Sequence, residues 1–173
     1  MATLVYGMNV SLDGHVDHDR FAPGPGLFRH WIDQVRGLSA SLYGRRLYEI
    51  MRYWDEDDAA WTAPERDFAE AWRAHPKWVA SRRLHEVDPN ATLVRDAEGA
   101  ARELKAGLPG EVAVGGTVLA RSLAGLVDEV RLYLHPVVLG AGTPFLAGAW
   151  PPLRLMGQDD MGEGVARLRY GRA

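Results

Sequence analysis

Four short stretches carry residue types suited to binding or transforming a small anionic molecule. Gly115-Gly116-Thr117 joins a run of strand character, Val112–Val114, to a helical run, Thr117–Ala124. Glycines at such a junction let a phosphate reach the backbone, while the free N–H groups and dipole of the helix's first turn attract negative charge. The same two glycines also make an ordinary tight turn, so the motif by itself leaves both readings open. Gly44-Arg45-Arg46 and Ser81-Arg82-Arg83 add hydroxyl and guanidinium donors, and a guanidinium grips a phosphate by two parallel hydrogen bonds. Ser11-Leu12-Asp13-Gly14 supplies a carboxylate that can fix a substrate's amino groups or pass on a proton. An Asp-Gly pair is equally a turn whose aspartate bonds its own backbone, and that reading stands beside the catalytic one.

Other groupings carry less. His15-Val16-Asp17-His18 sets two imidazoles three residues apart in a Gly/Pro loop, where they are expected to face solvent rather than hold a metal. Asp55–Asp58 lacks the glycine and glutamate of a calcium loop. No Gly-x-Gly-x-x-Gly follows a strand and no Gly-Lys-Ser/Thr loop occurs, which argues against an ordinary dinucleotide-binding Rossmann domain and against ATP use. The absence of cysteine excludes disulfides, thiolate zinc sites and a cysteine nucleophile. Trp31 and Trp72 have the spacing of core residues. Trp54 and Trp61 flank an acidic insertion and are candidates for a substrate mouth, Trp54 being assigned to the substrate side.

The elements that must position these residues follow from periodicity. Leu4–Val10 is an apolar run that alternates poorly, as in a strand covered on both faces. Pro23–Gly26 breaks the chain before a helix over Leu27–Arg36, whose Phe28, Trp31, Ile32 and Val35 share a face. Ser39–Tyr43 reads as a strand, and Arg45–Tyr53 as a helix burying Leu47, Ile50, Met51 and Trp54. Thr62-Ala63-Pro64-Glu65 is a capping box opening a helix that buries Phe68, Ala71 and Trp72. Lys77–Ala80 and Thr92–Val94 read as strands, and Asp96 caps a helix ended by Gly107. Val127–Leu134 reads as a strand and Val165–Tyr170 as a half-exposed antiparallel one. Strand and helix alternate until residue 135. The expected fold is therefore a three-layer α/β domain spanning residues 1–173, with a mostly parallel central sheet, antiparallel C-terminal strands and helices on both faces. Right-handed crossovers bring Gly44, Ser81 and Gly115 to one sheet edge, where ligands of such sheets bind.

With those elements in order, four strings of the chain resemble one family. They are Asn9–Gly14, Gly44–Glu49, Trp78–Leu84 and the stretch from Val127-Asp128-Glu129 through His135–Phe145. Together they are similar to the reductase domain of riboflavin biosynthesis and its dihydrofolate-reductase-like relatives. The resemblance implies NADPH as cofactor and hydride transfer to a small heterocycle, similar to 5-amino-6-(5-phosphoribosylamino)uracil. Another small carbonyl or heterocyclic substrate, or a non-catalytic nucleotide-binding member, stay as alternatives. By resemblance, Ser81 and Arg82 take the 2′-phosphate, Gly44 and Arg45 the phosphates, and Gly115, Gly116 and Thr117 the pyrophosphate. Asn9 and Val16 hold the carboxamide, Ser11 and Trp54 lie with the substrate, and Asp13 is the catalytic carboxylate. True dihydrofolate reductases carry an acid in the first helix, which Gly26–Trp31 lacks, so folate is not expected. Without cysteine the chain cannot perform the zinc-dependent deamination that accompanies this reductase.

A net charge of −3 gives no general attraction to nucleic acid or to an anionic membrane. The start lacks a basic region and meets Asp13 too early for a signal peptide, and no apolar run approaches the ~20 residues of a membrane span. A cytoplasmic protein is expected. The long apolar stretch of Val127–Phe145, together with the family's habit of pairing subunits through late strands, implies a homodimer.

Overall fold

The computed structural model describes every residue from Met1 to Ala173 except the side chain of His18, so the second imidazole of the His15–His18 pair lies outside the described residues. Its centre is an eight-stranded sheet in the order β4-β3-β2-β5-β1-β6-β8-β7. The strands are β1 (Thr3–Ser11), β2 (Ala40–Gly44), β3 (Lys77–Ala80), β4 (Ala91–Val94), β5 (Glu111–Gly115), β6 (Glu129–His135), β7 (Leu153–Asp160) and β8 (Ala166–Arg172). From β4 across to β6 every neighbouring pair is parallel, while β8 runs antiparallel to both β6 and β7. This is a dihydrofolate-reductase-like fold.

The helices are α1 (Pro25–Gly37), α2 (Arg45–Met51), α3 (Ala63–Ala74), α4 (Ala97–Gly107) and α5 (Thr117–Ser122). They divide between the two faces because adjacent strand residues point oppositely. Leu4, Tyr6, Val10 and Leu42 pack with Ala100, Ala101 and Leu104 of α4 and Leu119 and Ala120 of α5. Tyr43 and Val79 pack instead with Ile32 and Val35 of α1, Tyr48 of α2, and Phe68, Ala71 and Trp72 of α3. The central strands are apolar on both faces for this reason. Among the described residues no helix is long and apolar enough to cross a membrane.

Several boundaries differ from the sequence reading, each for a local reason. α1 starts at Pro25, because proline with its fixed φ suits the first helical turn, where no N–H is required. α2 stops at Met51 and tightens into a 3-10 turn over Arg52–Asp55. Its buried residue is Tyr48, whose hydroxyl donates to Asp88 Oδ2, while Ile50 is 44% exposed. α5 ends two residues earlier than expected, and β6 starts at Glu129, two residues later. The capping box at α3 is present, with Glu65 accepting from the Thr62 N–H at 2.7 Å. β7 went unread in the sequence. It follows two prolines, contains Gly157 and two aspartates, and is largely exposed at the sheet edge, so neither propensity nor alternation marks it.

Candidate functional site

The sheet splits where β1 outruns β5. Pairing between them ends at Tyr6↔Val114, whereas β1 stays paired with β6 as far as Ser11↔His135. From β1 the chain moves by α1 towards β2, and from β5 it moves by α5 past β1 to β6. Because these two connections depart to opposite sides and opposite faces, a crevice opens between the carboxyl ends of β1 and β5. A cleft of about 730 Å³ occupies it and continues across the ends of β2, β3 and β4.

Two glycine turns form its middle. Gly44 ends β2 and caps α2, and Gly116 links β5 to α5. Gly116 adopts φ +103°, a conformation L side chains avoid, and a Cβ there would stand 3.8 Å from the Gly44 nitrogen. Thr117 lines the cleft beside it. The helices that follow have seven and six residues, so their dipoles are short and the unpaired first-turn N–H groups are the main attraction for an anion. Gly115 serves differently. It is buried, and a Cβ on it would lie 2.4 Å from Tyr43 Cδ1, so it permits close packing behind the cleft rather than lining it.

The basic residues gather at the β2–β3–β4 end. Arg45, Arg46, Ser81 and Arg82 all line the cleft. Arg45 holds Glu49 one turn on at 2.9 Å, whereas Arg46 and Arg82 are exposed. The Ser81 hydroxyl accepts from the Arg83 and Leu84 N–H groups at 3.1 and 3.0 Å, which folds the turn and leaves its own proton to donate elsewhere. The sequence reading missed Arg95. It follows the last residue of β4, lines the same cleft, and donates from Nη1 to the Ser81 carbonyl at 2.6 Å. The rule that brought Gly44, Ser81 and Gly115 to one edge applies equally to the fourth parallel strand and would have found it.

At the opposite end lie Met8, Val16, Asp17, Asp19 and Thr143. Val16 donates its N–H to the Thr143 carbonyl at 2.9 Å, and Asp17 accepts from the Thr143 N–H at 2.7 Å. Asn9 sits one strand position beyond Met8. Its Oδ1 lies 3.1 Å from Nε2 of the buried His135, and burial lowers that imidazole's pKa, so the neutral ring can donate to it. Asn9 is not among the residues lining the cleft.

The Ser11–Gly14 turn stands beside the cleft rather than in its lining. Buried Ser11 donates from Oγ to Asp13 Oδ1 at 2.7 Å and accepts from the His15 N–H at 3.0 Å. Asp13 also accepts from the N–H groups of Leu139 at 3.1 Å and Gly140 at 2.7 Å. The Ser11 hydroxyl first, then the Leu139 N–H, hold its carboxyl well below the usual carboxylate range. Asp13 is therefore ionised at neutral pH and latches the loop after β6, and it holds no proton to deliver. Trp54 is not brought to the cleft. It packs in the α1–α3 face, with ring centroids 4.8 Å from Phe68 and 5.4 Å from Trp61. Trp61 itself is buried and borders a separate hollow of about 830 Å³ beside α3. Among the described residues no three His, Asp or Glu side chains are arranged to hold a metal ion.

The fold that carries this cleft is shared with known proteins. A proposed riboflavin biosynthesis protein from Shewanella sp. PV-4 superposes on the whole chain, and on 99% of its own, with a TM-score of 0.73 at 19% identity. RibD of Acinetobacter baumannii superposes on the whole chain with a TM-score of 0.67 at 14% identity, the chain spanning 58% of that protein's length. At these identities the likeness is one of fold. In sequence, the uncharacterized protein YyaP of Bacillus subtilis (strain 168) is 27% identical over 179 aligned residues, covering 98% of this chain and 91% of YyaP. The family model described as the RibD C-terminal domain matches residues 2–166, nearly the entire sheet with its helices, and the chain belongs to that family.

Proposed function

We propose that the chain is an NADPH-dependent reductase of a small heterocycle, related in substrate to 5-amino-6-(5-phosphoribosylamino)uracil. The observation that carries this reading is the single cleft that joins two glycine turns, a Ser-Arg turn and further arginines along the carboxyl ends of parallel strands. A dinucleotide with one additional phosphate matches that sequence of donors. Gly44, Gly116 and Thr117 would hold the pyrophosphate through backbone N–H groups and the Thr117 hydroxyl, with Arg45 beside them. Ser81 and Arg82 would take the 2′-phosphate. Val16 spends its N–H on Thr143 and keeps a carbonyl to accept from a carboxamide. When bound, NADPH supplies a hydride from C4 of its nicotinamide.

The protein's part is placement and exclusion of water. Gly116, fixed at positive φ, allows the cofactor's backbone contact, and Leu47, Leu119 and Met8 give the cleft apolar walls. Asp13 acts as a positioning residue. It ties the β1 loop to the loop after β6, and these two loops border the end where the substrate would meet the cofactor.

The test is direct. Titration of the protein's tryptophan fluorescence should show NADPH binding about tenfold or more tighter than NADH, the worth of one charge-assisted contact. Nicotinamide absorbance should then fall when the ribosylaminouracil phosphate is added, and not with unrelated carbonyl compounds. Equal affinity for both cofactors would remove the 2′-phosphate assignment. NADPH binding without oxidation by any heterocycle offered would favour the non-catalytic alternative.

A further inference from the structure

The end of the cleft where the substrate would meet the cofactor holds fixed negative charge and little to balance it. Met8, Val16, Asp17, Asp19 and Thr143 line it, while the basic residues of the lining, Arg45, Arg46, Arg82 and Arg95, all belong to the other end. Asp17 is half-buried and pinned, accepting from the Thr143 N–H at 2.7 Å and from its hydroxyl at 3.2 Å. Asp19 stands exposed on the 3-10 turn His18–Arg20. Asp13 borders them, ionised and latched to the Leu139 and Gly140 N–H groups.

The cations nearby are turned elsewhere. Arg20, next to Asp19 in the chain, spends its fork on carbonyls, with Nη1 donating to Ala141 at 3.2 Å and Nη2 to Leu139 at 3.4 Å. His15 points Nδ1 at Asp13 Oδ2, 3.4 Å away. Burial lowers the pKa of both His30 and His135, so these rings stay neutral. Arg29, farther out on α1, is paired with Asp67 at 3.0 Å. A phosphate monoester carries about −1.5 to −2 at neutral pH. Like charges set face to face are a device by which a site rejects the wrong partner. A wall of carboxylates is matched instead by N–H donors, such as the amino groups of a heterocycle or an ammonium.

We infer that the compound meeting the cofactor here carries no phosphate, and that Asp17 and Asp19 select its neutral or cationic form. The inference rests on the reductase reading above and narrows its substrate class. The 5′-phosphate of the related ribosylaminouracil makes that compound the poorer ligand of the pair formed with its dephosphorylated nucleoside.

A charge series on one ring tests this. Ribosylaminouracil bearing a 5′-phosphate, a 5′-hydroxyl or a 5′-ammonium group is titrated calorimetrically into the protein, with and without NADP+. The expected order of affinity is ammonium, hydroxyl, phosphate, with the phosphate about tenfold or more weaker than the hydroxyl form at low salt. That gap should close near ~1 M salt, where exposed charges are screened. Asp19→Asn should recover about two- to fivefold of the phosphate's affinity and leave the hydroxyl form unchanged, and Asp19→Lys should recover more. If the phosphate binds as tightly as the hydroxyl form, or both Asp19 variants leave the gap whole, the inference is overturned and the cofactor assignment stands. If none of the three compounds binds while NADPH does, the inference likewise falls alone. If NADPH does not bind, the reductase reading fails, and the charge order measured without NADP+ still decides this one.

Discussion

Acid should weaken this fold through one histidine beneath the sheet. His75 follows α3 and is 5% exposed, with Nε2 2.8 Å from the buried hydroxyl of Ser41 on β2. Burial, and then the ammonium of Lys77, lower its pKa from 6.5 to about 4. Lys77 is itself 1% exposed and donates to the His75 and Trp72 carbonyls, so a second charge beside it finds no counter-ion. Between pH 6.5 and about 4 the unfolded chain binds a proton that the folded chain refuses. The stability His75 contributes is whole above pH 6.5 and is lost as pH falls towards 4. At ~1.4 kcal/mol per pKa unit the loss is about 3 kcal/mol, a large share of a domain's ~5–15. Urea unfolding of wild type and His75→Gln across that range isolates the term, since glutamine keeps a hydrogen bond to Ser41 and does not titrate. The stability gap between the two proteins should narrow or reverse by about 3 kcal/mol on acidification. Parallel pH profiles would refute the reasoning and return the acid sensitivity to the carboxylates. The consequence reaches the cleft, because β2 pairs with β3 and β5, whose far ends carry Ser81 and Gly115.

The remaining predictions concern the cleft and the assembly. Gly116→Ala forces a Cβ onto a residue at φ +103° and narrows the approach to Gly44, so it should cost about 1–3 kcal/mol of stability and weaken nucleotide binding. Unchanged affinity in a folded variant would take the pyrophosphate away from this turn. Asp13→Asn keeps the shape but turns a two-oxygen acceptor into a half-donor facing the Leu139 and Gly140 N–H groups; turnover should fall about tenfold with NADPH affinity nearly constant. Equal turnover would make Asp13 a latch without catalytic consequence. The chain should form a homodimer, since the edge strand β7 exposes Leu155 and Met156; light scattering that gives only the 19.1 kDa monomer at micromolar concentration would overturn this.

Much of the fold was legible because it is locally coded. The capping box at Thr62, the Asp96 cap and the apolar runs of β1, β2 and β5 each state their element within a few residues. The gathering of Gly44, Arg45, Ser81, Arg82 and Gly116 at one edge was legible for a topological reason, since parallel strands deliver their following residues to one edge. Trp54 and Asp13 could not be read this way. Whether a tryptophan beside an acidic loop faces a cleft or a neighbouring helix depends on how α1 and α3 cross, and Phe28 and Phe68 decide it for Trp54. Asp13 depends on a loop some 126 residues away, whose N–H groups occupy its oxygens. In the edge strand β7 the alternation lasts only from Leu153 to Leu155 before the register shifts and the residues turn polar, too short a run to mark a strand.

Charge along the cleft bears on how a ligand must lie in it. Although the chain carries a net −3, Arg45, Arg46, Arg82 and Arg95 gather at one end, and Asp17 and Asp19 stand at the other. A dinucleotide placed with its phosphates among the arginines puts its uncharged carboxamide ring near the aspartates, while the reversed pose sets phosphate against carboxylate. In a partly enclosed cleft that difference is less screened than on an open surface. Asp17 is fixed in the cleft wall by the Thr143 N–H at 2.7 Å, and beside the cleft Asp13 is held likewise by Leu139 and Gly140. The loop between β6 and β7 thus uses its backbone donors to fix two carboxylates of the β1 loop. It gives the cleft a defined negative end, so a dinucleotide bound there would have one favoured direction.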